Sequence, residues 1–289
     1  VTLDWNYIFQ KNFNRQLVLS HIVKLIIKLK KPKLLIHTDN GSMNAVNKMA
    51  FNMNIETIDF QHAITTSFHV VYTHRKDVSK EYKTYLSKYF FSWGEYFTSR
   101  LNKDYICRVV GNPYHETSKQ LYQDVEIENS ILIISDDQMT RRYLEELALY
   151  LAKNLSDFQI NYKLRPEEYL TWKDNYSISN SRISNLNFID NDSEHLYSYL
   201  KKSQYVIGTS SSVLVEAIDL SEALIYEFGW FEIMKDYIQD GFIKSFKEKH
   251  EILDYISKPK VNQYGVGSKI FASNPSDLMK KNIDKLIKS

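Results

Sequence analysis

The sequence predicts an α/β protein made of two doubly wound domains in tandem. Short apolar runs alternate with longer segments of helical period, a pattern typical of βα units around a parallel sheet. A polar stretch near the middle interrupts this alternation, which then restarts, and 289 residues are enough for two domains of ordinary size. We therefore expect domains over residues 1–124 and 125–289, with a ligand cleft between them.

The first half of the chain contains four apolar runs that are short enough to be strands. The predicted strands cover residues 33–38, 55–60, 89–93 and 106–110. The predicted helices cover residues 42–53 and 78–88, with a short helix that begins at Glu95. These elements indicate a small sheet with its own helices.

The second half repeats this arrangement with longer helices. Strands are predicted over 131–135, 158–164, 205–208 and 223–228. Helices are predicted over 139–153, 193–202, 232–239, 247–257 and 275–287, and another opens within "SSSVLVEA", residues 210–217. Ligands of doubly wound sheets bind beyond the carboxyl ends of the strands, so the residues after each strand are the candidate site residues.

The composition is that of a folded globular protein, with 43% hydrophobic and 25% charged residues. Thirty-seven basic and 35 acidic residues leave a net charge of +2, which argues against a nucleic-acid-binding protein. The single cysteine, Cys107, excludes an internal disulfide and a cysteine-cluster metal site, which fits a cytoplasmic protein. No apolar run approaches the ~20 residues of a membrane span.

A basic segment, "KLIIKLKKPK", follows an amphipathic run that starts at Leu17. Such a run can lie on an anionic membrane surface as a peripheral contact. The favoured interpretation is a helix with an apolar side toward the core and its lysines in solvent. These lysines are Lys24, Lys28, Lys30, Lys31 and Lys33.

The strongest local signal for a ligand site is "VIGTSSSVLVEA", residues 206–217. A predicted strand ends at Gly208, and Ser210, Ser211 or Ser212 begins the next helix. Free N–H groups and the positive end of the helix dipole suit this position to a phosphate or carboxylate. Glu216 follows one turn later, where it can accept hydrogen bonds from ribose hydroxyls. An ordinary serine cap gives the same pattern and is favoured on this motif alone.

A second signal, "YKLRPEEY", places Lys163 and Arg165 at the end of a strand and on the same side of it. An ammonium beside a planar guanidinium suits a diphosphate or a sugar-nucleotide phosphate. The alternative is a surface ion pair of Arg165 with Glu167 or Glu168. Both signals follow strands of the same sheet, so they can converge on one anion.

In the first half, the strand 55–60 is followed by Gln61 and His62. A histidine can act as a general base toward a hydroxyl because its pKa lies near working pH. A hydrogen-bonded structural histidine is an equally weighted alternative. Asp39, after the first strand, is the alternative base, although a helix cap is favoured there. His115 follows a Gly-Asn-Pro turn and is assigned to the acceptor side.

The common phosphate and metal motifs are missing from the sequence. It contains no G-x-G-x-x-G, P-loop, His-Glu-x-x-His or nucleophile elbow. Asp136 and Asp137 are adjacent, and neighbours on an extended chain point apart, so they make poor metal ligands. We expect phosphate chemistry that uses no metal and no other cofactor.

Six motifs occur in the order "ETIDFQH", "YFFSWGEYF", "VVGNPY", "ILIISDDQ", "NYKLRPEEYLTWK" and "VIGTSSSVLVEA". This order resembles bacterial glycosyltransferases of the two-Rossmann, GT-B type that build capsules and lipopolysaccharide. It is more distantly similar to polysialyltransferases and to teichoic-acid polyol-phosphate polymerases. The resemblance covers residues 33–228. Those families commonly read Gln-His-Gly and Lys-x-His-Pro, whereas this chain has Ala63 and Arg165 at the differing positions.

The resemblance implies two Rossmann-like domains that face a cleft, and transfer of a sugar from a nucleotide-activated donor to a glycan or glycolipid acceptor. The enzyme would be cytoplasmic or peripheral at the cytoplasmic face of the inner membrane. The donor phosphate would lie between Lys163, Arg165 and residues 210–212, with its ribose near Glu216. Gln61, His62 and His115 would lie on the acceptor side, with His62 as the base.

Two other classes of function remain open. The same architecture supports a sugar-nucleotide epimerase or a polyol-phosphate transferase. An arginine at position 165 can neutralise a leaving phosphate but cannot donate a proton to it at neutral pH. Arginine in place of histidine at position 165 is therefore compatible with a non-catalytic protein that resembles these enzymes and only binds nucleotide or glycan.

Overall fold

The computed structural model describes residues 5–69, 71–73, 78–101, 104–258 and 270–288. The chain divides into two compact units. The first unit combines Val1–Pro113 with Lys269–Ser289, and the second unit is Tyr114–Ser268. The division after Pro113 lies earlier than the expected boundary near residue 124, and the last helix belongs to the first unit rather than to the second.

Among the residues that the structure describes, each unit contains one parallel sheet. The first unit has four strands in the order β1-β2-β3-β4, and the second has six in the order β10-β9-β8-β5-β6-β7. The strands are β1 Leu34–His37, β2 Glu56–Phe60, β3 Tyr89–Ser92, β4 Ile106–Val109, β5 Ser130–Ile134, β6 Gln159–Lys163, β7 Leu186–Ile189, β8 Tyr205–Gly208, β9 Glu222–Tyr226 and β10 Lys244–Phe246. All eight predicted strands are present, and the edge strands β7 and β10 are additional.

The helices cover the two sheets in chain order. They are α1 Trp5–Lys30, α2 Asn44–Asn52, α3 Lys80–Lys83, α4 Glu95–Thr98, α5 Pro113–Leu121, α6 Gln138–Asn154, α7 Trp172–Asn175, α8 Leu196–Lys202, α9 Val213–Ala217, α10 Lys235–Gln239, α11 Lys249–Ile256 and α12 Pro275–Lys288. Helix α5 lies in the polar stretch that the sequence suggested as a linker. Helix α9 is only five residues long and begins after the serines.

The core of the first unit includes residues from both ends of the chain. Ile58, Phe91 and Val110 are buried, and Met279 and Ile283 of α12 pack against them. Gly94 allows this return, because a Cβ there would lie 1.9 Å from the carbonyl oxygen of Ile270. Only a glycine lets the two backbones approach so closely.

The larger core of the second unit lies between its sheet and helices α6 and α11. Buried side chains from strands β5, β6 and β8 pack against Leu144, Leu147 and Leu151 of α6 and Ile252 of α11. Burial on both faces explains why β5 and β8 are nearly continuous apolar runs, whereas β6 alternates, with Gln159 and Asn161 only half-buried. The rigid sheet fixes the positions of the turns that follow its strands.

Helix α1 buries only part of its apolar surface. Ser20 and Ile27 are buried, and Gln16 Nε2 donates to the carbonyl of Ser42 at 2.6 Å. One face of α1 therefore packs against the core, as the favoured interpretation predicted. Large apolar side chains on the remaining surface are exposed, namely Phe13, Leu17, Val18, Ile22, Leu25, Ile26 and Leu29. Within the described ranges, no helix is both long and apolar enough to span a bilayer.

Candidate active site

A cavity of about 420 Å³ lies at the carboxyl edge of the second unit's sheet. It opens beyond the ends of β5, β6 and β8, where ligands of doubly wound sheets bind. Five of the predicted phosphate-binding residues line it, namely Lys163, Arg165, Ser210, Ser211 and Ser212. The structure therefore brings together the two motifs that the sequence placed on neighbouring strands.

Lys163 ends β6 and is buried at the cavity wall. Its Nζ donates to the Tyr169 hydroxyl and lies 3.4 Å from Asp192 Oδ1 and 3.2 Å from the carbonyl of Asn191. The Tyr169 hydroxyl and the Lys163 charge lower the pKa of Asp192. The ammonium is thus held at the cavity by an exposed carboxylate that a stronger anion could replace.

Arg165 follows β6 and remains half exposed, with Nε 3.0 Å from Glu167 Oε1. This contact is the surface ion pair that the sequence offered as the alternative. The backbone N–H of Arg165 donates to the buried Glu168 carboxylate at 2.9 Å, and Ser135 and Tyr176 also donate to that carboxylate. Buried Glu168 therefore fixes the backbone of this turn, while the guanidinium stays half exposed in its pair with Glu167.

The serine turn after β8 already holds an internal anion. Asp136 Oδ2 accepts from the Ser210 N–H at 3.0 Å, from the Ser210 hydroxyl at 2.7 Å and from the Thr209 hydroxyl. From the sequence, Asp136 was weighed only as a metal ligand, and its contact with Thr209 and Ser210 was not predicted. The sequence predicted that this turn binds the anion of a ligand, whereas in the structure the Asp136 carboxylate of the same chain contacts it. Ser211 and Ser212 remain at the cavity for a ligand.

Glu216 lies on α9, one turn beyond the cavity residue Val213. Burial raises the pKa of Glu216, while a hydrogen bond from Tyr197 and the nearby His115 lower it. His115 lies on α5 in the second unit, beside Glu216, rather than in the first domain where the sequence placed it. Its ring is buried between Tyr197 and Asp219, which contact it at 2.9 and 3.1 Å.

At the carboxyl edge of the first unit's sheet, the side chain of Gln61 forms hydrogen bonds within the protein. Its Oε1 accepts from the Trp93 N–H at 2.9 Å and from the Ser92 hydroxyl at 3.2 Å. Its Nε2 donates to the carbonyl of Ala63 at 3.1 Å. Gln61 is buried, so it joins the ends of β2 and β3 instead of presenting an amide to an acceptor.

His62 is exposed next to this turn, and it interacts electrostatically with Asp39 and His69. Partial burial raises the pKa of Asp39, but hydrogen bonds from Ser42 and Gly41 and the attraction of His62 bring it below its ordinary value. Asp39 therefore remains ionised near a histidine. The first unit thus contains a carboxylate and an exposed imidazole suited to proton transfer.

The first unit also contains a buried pair of titratable groups. His37 Nδ1 and Asp59 Oδ1 lie 3.8 Å apart. Burial raises the pKa of Asp59 to about 7 and lowers the pKa of His37, so burial favours the neutral form of each group. Tyr72 donates to the other Asp59 oxygen at 2.8 Å. The aspartate in the apolar run "IETIDF" was the available sequence signal for this site.

Asp192 is another charged cavity residue that was not predicted from the sequence. The signal was the Asp-Asn-Asp sequence at 190–192, directly after β7. Asp190 instead accepts from the Trp172 indole at 2.9 Å. In the part of the chain that the structure describes, no group of three histidine, cysteine or acidic side chains is placed to hold a metal ion. Metal independence stays a prediction.

No family model matches the chain, and no curated protein matches its sequence. Its fold is similar to that of an S. aureus MnaA–UDP structure, with a TM-score of 0.63 and 15% identity over 96% of this chain and 83% of that one. It is similar to a UDP-GlcNAc 2-epimerase of Methanocaldococcus jannaschii bound to UDP-GlcNAc and UDP, with a TM-score of 0.61, 13% identity and coverage of 95% and 81%. The glycotransferase of kitacinnamycin gives 0.61, 8% identity and coverage of 100% and 84%.

Identities this low show the fold alone. The chain consists of two Rossmann-like domains with parallel sheets, and its structural neighbours have the GT-B-type fold. The fold class predicted from the sequence is confirmed.

Proposed function

We propose that the chain is a glycosyltransferase that binds a nucleotide sugar in its second unit and moves the sugar to a surface-glycan or glycolipid acceptor. The observation that carries this proposal is the cavity of about 420 Å³ lined by Lys163, Arg165 and the serine turn. Its size suits a small ligand, and its cations suit a diphosphate.

The donor phosphates would replace the carboxylates that contact the two cations. Glu167 and Asp192 are both exposed, with 62% and 69% of their side chains accessible. Because both carboxylates are exposed, water can solvate them when a diphosphate takes their place. Ser211 and Ser212 would donate to the phosphate, and Glu216 would accept from the ribose.

The first unit would supply the proton transfer. An acceptor hydroxyl must lose its proton as the new glycosidic bond forms, and exposed His62 is the favoured base. Ionised Asp39 would stabilise the imidazolium that results. Cytoplasmic location and contact with an anionic membrane stay predictions.

A second candidate is a UDP-GlcNAc 2-epimerase. The observation that favours it is the set of solved structures with similar folds, which includes epimerases of M. jannaschii and Neisseria meningitidis solved with UDP-GlcNAc. The two candidates share the nucleotide site and differ in the fate of the sugar.

The donor site is tested by calorimetric titration with UDP and UDP-GlcNAc, the ligands named for these neighbours. We expect Arg165→Ala to weaken binding about 10- to 100-fold, the effect of losing a charge-assisted pair to phosphate. Arg142→Ala is the matched control, because Arg142 is an exposed arginine of the same unit that also contacts a glutamate. Absence of nucleotide-sugar binding, or equal binding by the two variants, contradicts the proposal.

The reaction is then followed by proton NMR of the nucleotide sugar. An epimerase changes the configuration at carbon 2 without any acceptor. A transferase leaves the donor intact until an acceptor glycan is added, and then releases the nucleoside diphosphate in step with acceptor consumption. Epimer formation by the protein alone would replace the first candidate with the second.

A further inference from the structure

Glu216 is the end of a chain of buried hydrogen-bonded side chains. His115 Nε2 lies 3.1 Å from Asp219 Oδ2, and His115 Nδ1 lies 2.9 Å from the Tyr197 hydroxyl. The Tyr197 hydroxyl donates to Glu216 Oε2. Tyr197 is fully buried and His115 is 1% exposed, so water does not compete for these bonds.

Two of the hydrogen bonds among these side chains have a defined donor. Ionised carboxylates only accept, so His115 donates from Nε2 to Asp219 and Tyr197 donates to Glu216. His115 Nδ1 faces the Tyr197 oxygen, so the imidazole connects Tyr197 to Asp219. Lys119 Nζ lies 3.4 Å from Asp219 Oδ2.

We propose that Asp219, His115 and Tyr197 form a positioning relay that orients the Glu216 carboxylate for the ribose hydroxyls of the nucleotide. The proposal rests on the proposed function, because it assigns the nucleoside to the site around Glu216. One bond from Tyr197 leaves the carboxylate acceptor capacity for two ribose hydroxyls.

The relay counteracts the cost of burying Glu216. Burial raises the pKa of this carboxyl, whereas the Tyr197 bond and the His115 charge lower it. Loss of the relay would therefore favour the protonated acid, which is a poorer acceptor. The titratable groups that face Glu216 or act on it through a neighbour come from α5, α8 and the turn after α9, namely Tyr114, His115, Lys119, Tyr197 and Asp219.

The relay is tested without ligand by NMR titration of the Glu216 carboxyl in protein labelled with ¹³C-glutamate. We expect Tyr197→Phe to move the titration midpoint upward by about one to two pH units, because it removes a hydrogen bond to a charged group. Tyr162→Phe is the control, since Tyr162 is an equally buried tyrosine in β6. If Tyr197→Phe does not fold, Asp219→Asn removes the far end of the relay and should move the midpoint in the same direction. An unchanged midpoint overturns the proposal.

The link to the nucleotide is tested by the pH dependence of UDP affinity. In the wild type we expect affinity to fall as pH drops through the Glu216 midpoint, and in Tyr197→Phe the fall should begin at a higher pH. Between the two midpoints, the variant should bind UDP about 10-fold more weakly. A moved carboxyl midpoint with an unchanged UDP profile overturns the nucleotide role of the relay alone. A wild type that binds no nucleotide at any pH overturns the proposed function instead, whatever the carboxyl titration shows.

Discussion

At the carboxyl edge of the second unit's sheet, polar donors and cations contact the protein's own carboxylates. Asp136 occupies the serine turn, Asp192 contacts Lys163, and Glu167 contacts Arg165. At the same edge of the first unit's sheet, His37 and Asp59 are buried with pKa values displaced toward their neutral forms. The second edge is arranged to hold anions, and the first is arranged around groups whose protonation can change.

The difference follows from exposure. Ion pairs whose carboxylate is exposed, such as Asp192 with Lys163 and Glu167 with Arg165, exchange easily because water solvates the released carboxylate. A carboxylate without a cation in the interior is costly, so its pKa rises until the proton stays. Two parallel sheets therefore present carboxyl edges with different electrostatics, exposed carboxylates beside cations at one and buried titratable groups at the other.

Removal of the exposed imidazole should give the largest effect. We expect His62→Ala to lower turnover about 10²- to 10⁴-fold, the contribution of a general base, while nucleotide affinity stays unchanged. Steady-state rates and calorimetric affinities separate the two quantities. His21→Ala is the control, because His21 is another exposed histidine of the first unit. Normal turnover in His62→Ala would remove the proton-transfer role from this edge.

The buried edge of the first unit is tested by the pH dependence of the free energy of unfolding, which Asp59 should control. Its pKa is about 7 in the fold against an ordinary 3.8, so the folded state keeps a proton that the unfolded chain has released. The free energy of unfolding should therefore fall as pH rises from about 4 to 7, by up to about 4 kcal/mol. Asp59→Asn should lose this slope, and the exposed Asp284→Asn should keep it, in urea unfolding at a series of pH values. Parallel profiles for all three proteins would show that Asp59 ionises freely in the fold.

Asp136 tests whether the serine turn needs an anion. We expect Asp136→Asn to destabilise the protein by about 2–3 kcal/mol, because it weakens hydrogen bonds to a charged acceptor. Added inorganic phosphate should then raise the melting temperature of this variant more than that of the wild type. Asp174→Asn, an exposed aspartate in the same unit, should show neither effect. Equal responses to phosphate would show that the turn does not select anions.

Gln61 should give the smallest effect and no specific loss of acceptor binding. Gln61→Ala leaves the buried Trp93 N–H without its acceptor, which costs about 1–3 kcal/mol. Unfolding measurements should show this loss, whereas the exposed Gln10→Ala in α1 should be neutral. A stable Gln61→Ala protein with impaired acceptor use would restore the acceptor-side role predicted from the sequence.

Much of the candidate site was predictable because strand ends are local features. Lys163, Arg165 and residues 210–212 each follow an apolar run, and parallel strands align their carboxyl ends at one edge. His115 was misplaced because a Gly-Asn-Pro turn resembles a linker, whereas the residues after it form α5 and pack on the second unit. Tyr197 and Asp219, its partners, lie about 80 and 100 positions away in the chain.

The sequence by itself determined most of the element types, the parallel character of the sheets and two of the cavity cations, Lys163 and Arg165, since apolar periodicity and strand–helix alternation are properties of neighbouring residues. Only the tertiary structure decided that Asp136 fills the serine turn, that Asp59 lies buried beside His37, and that α12 joins the first unit. These contacts join residues far apart in the chain, so their energies depend on distances and burial that local pattern does not encode.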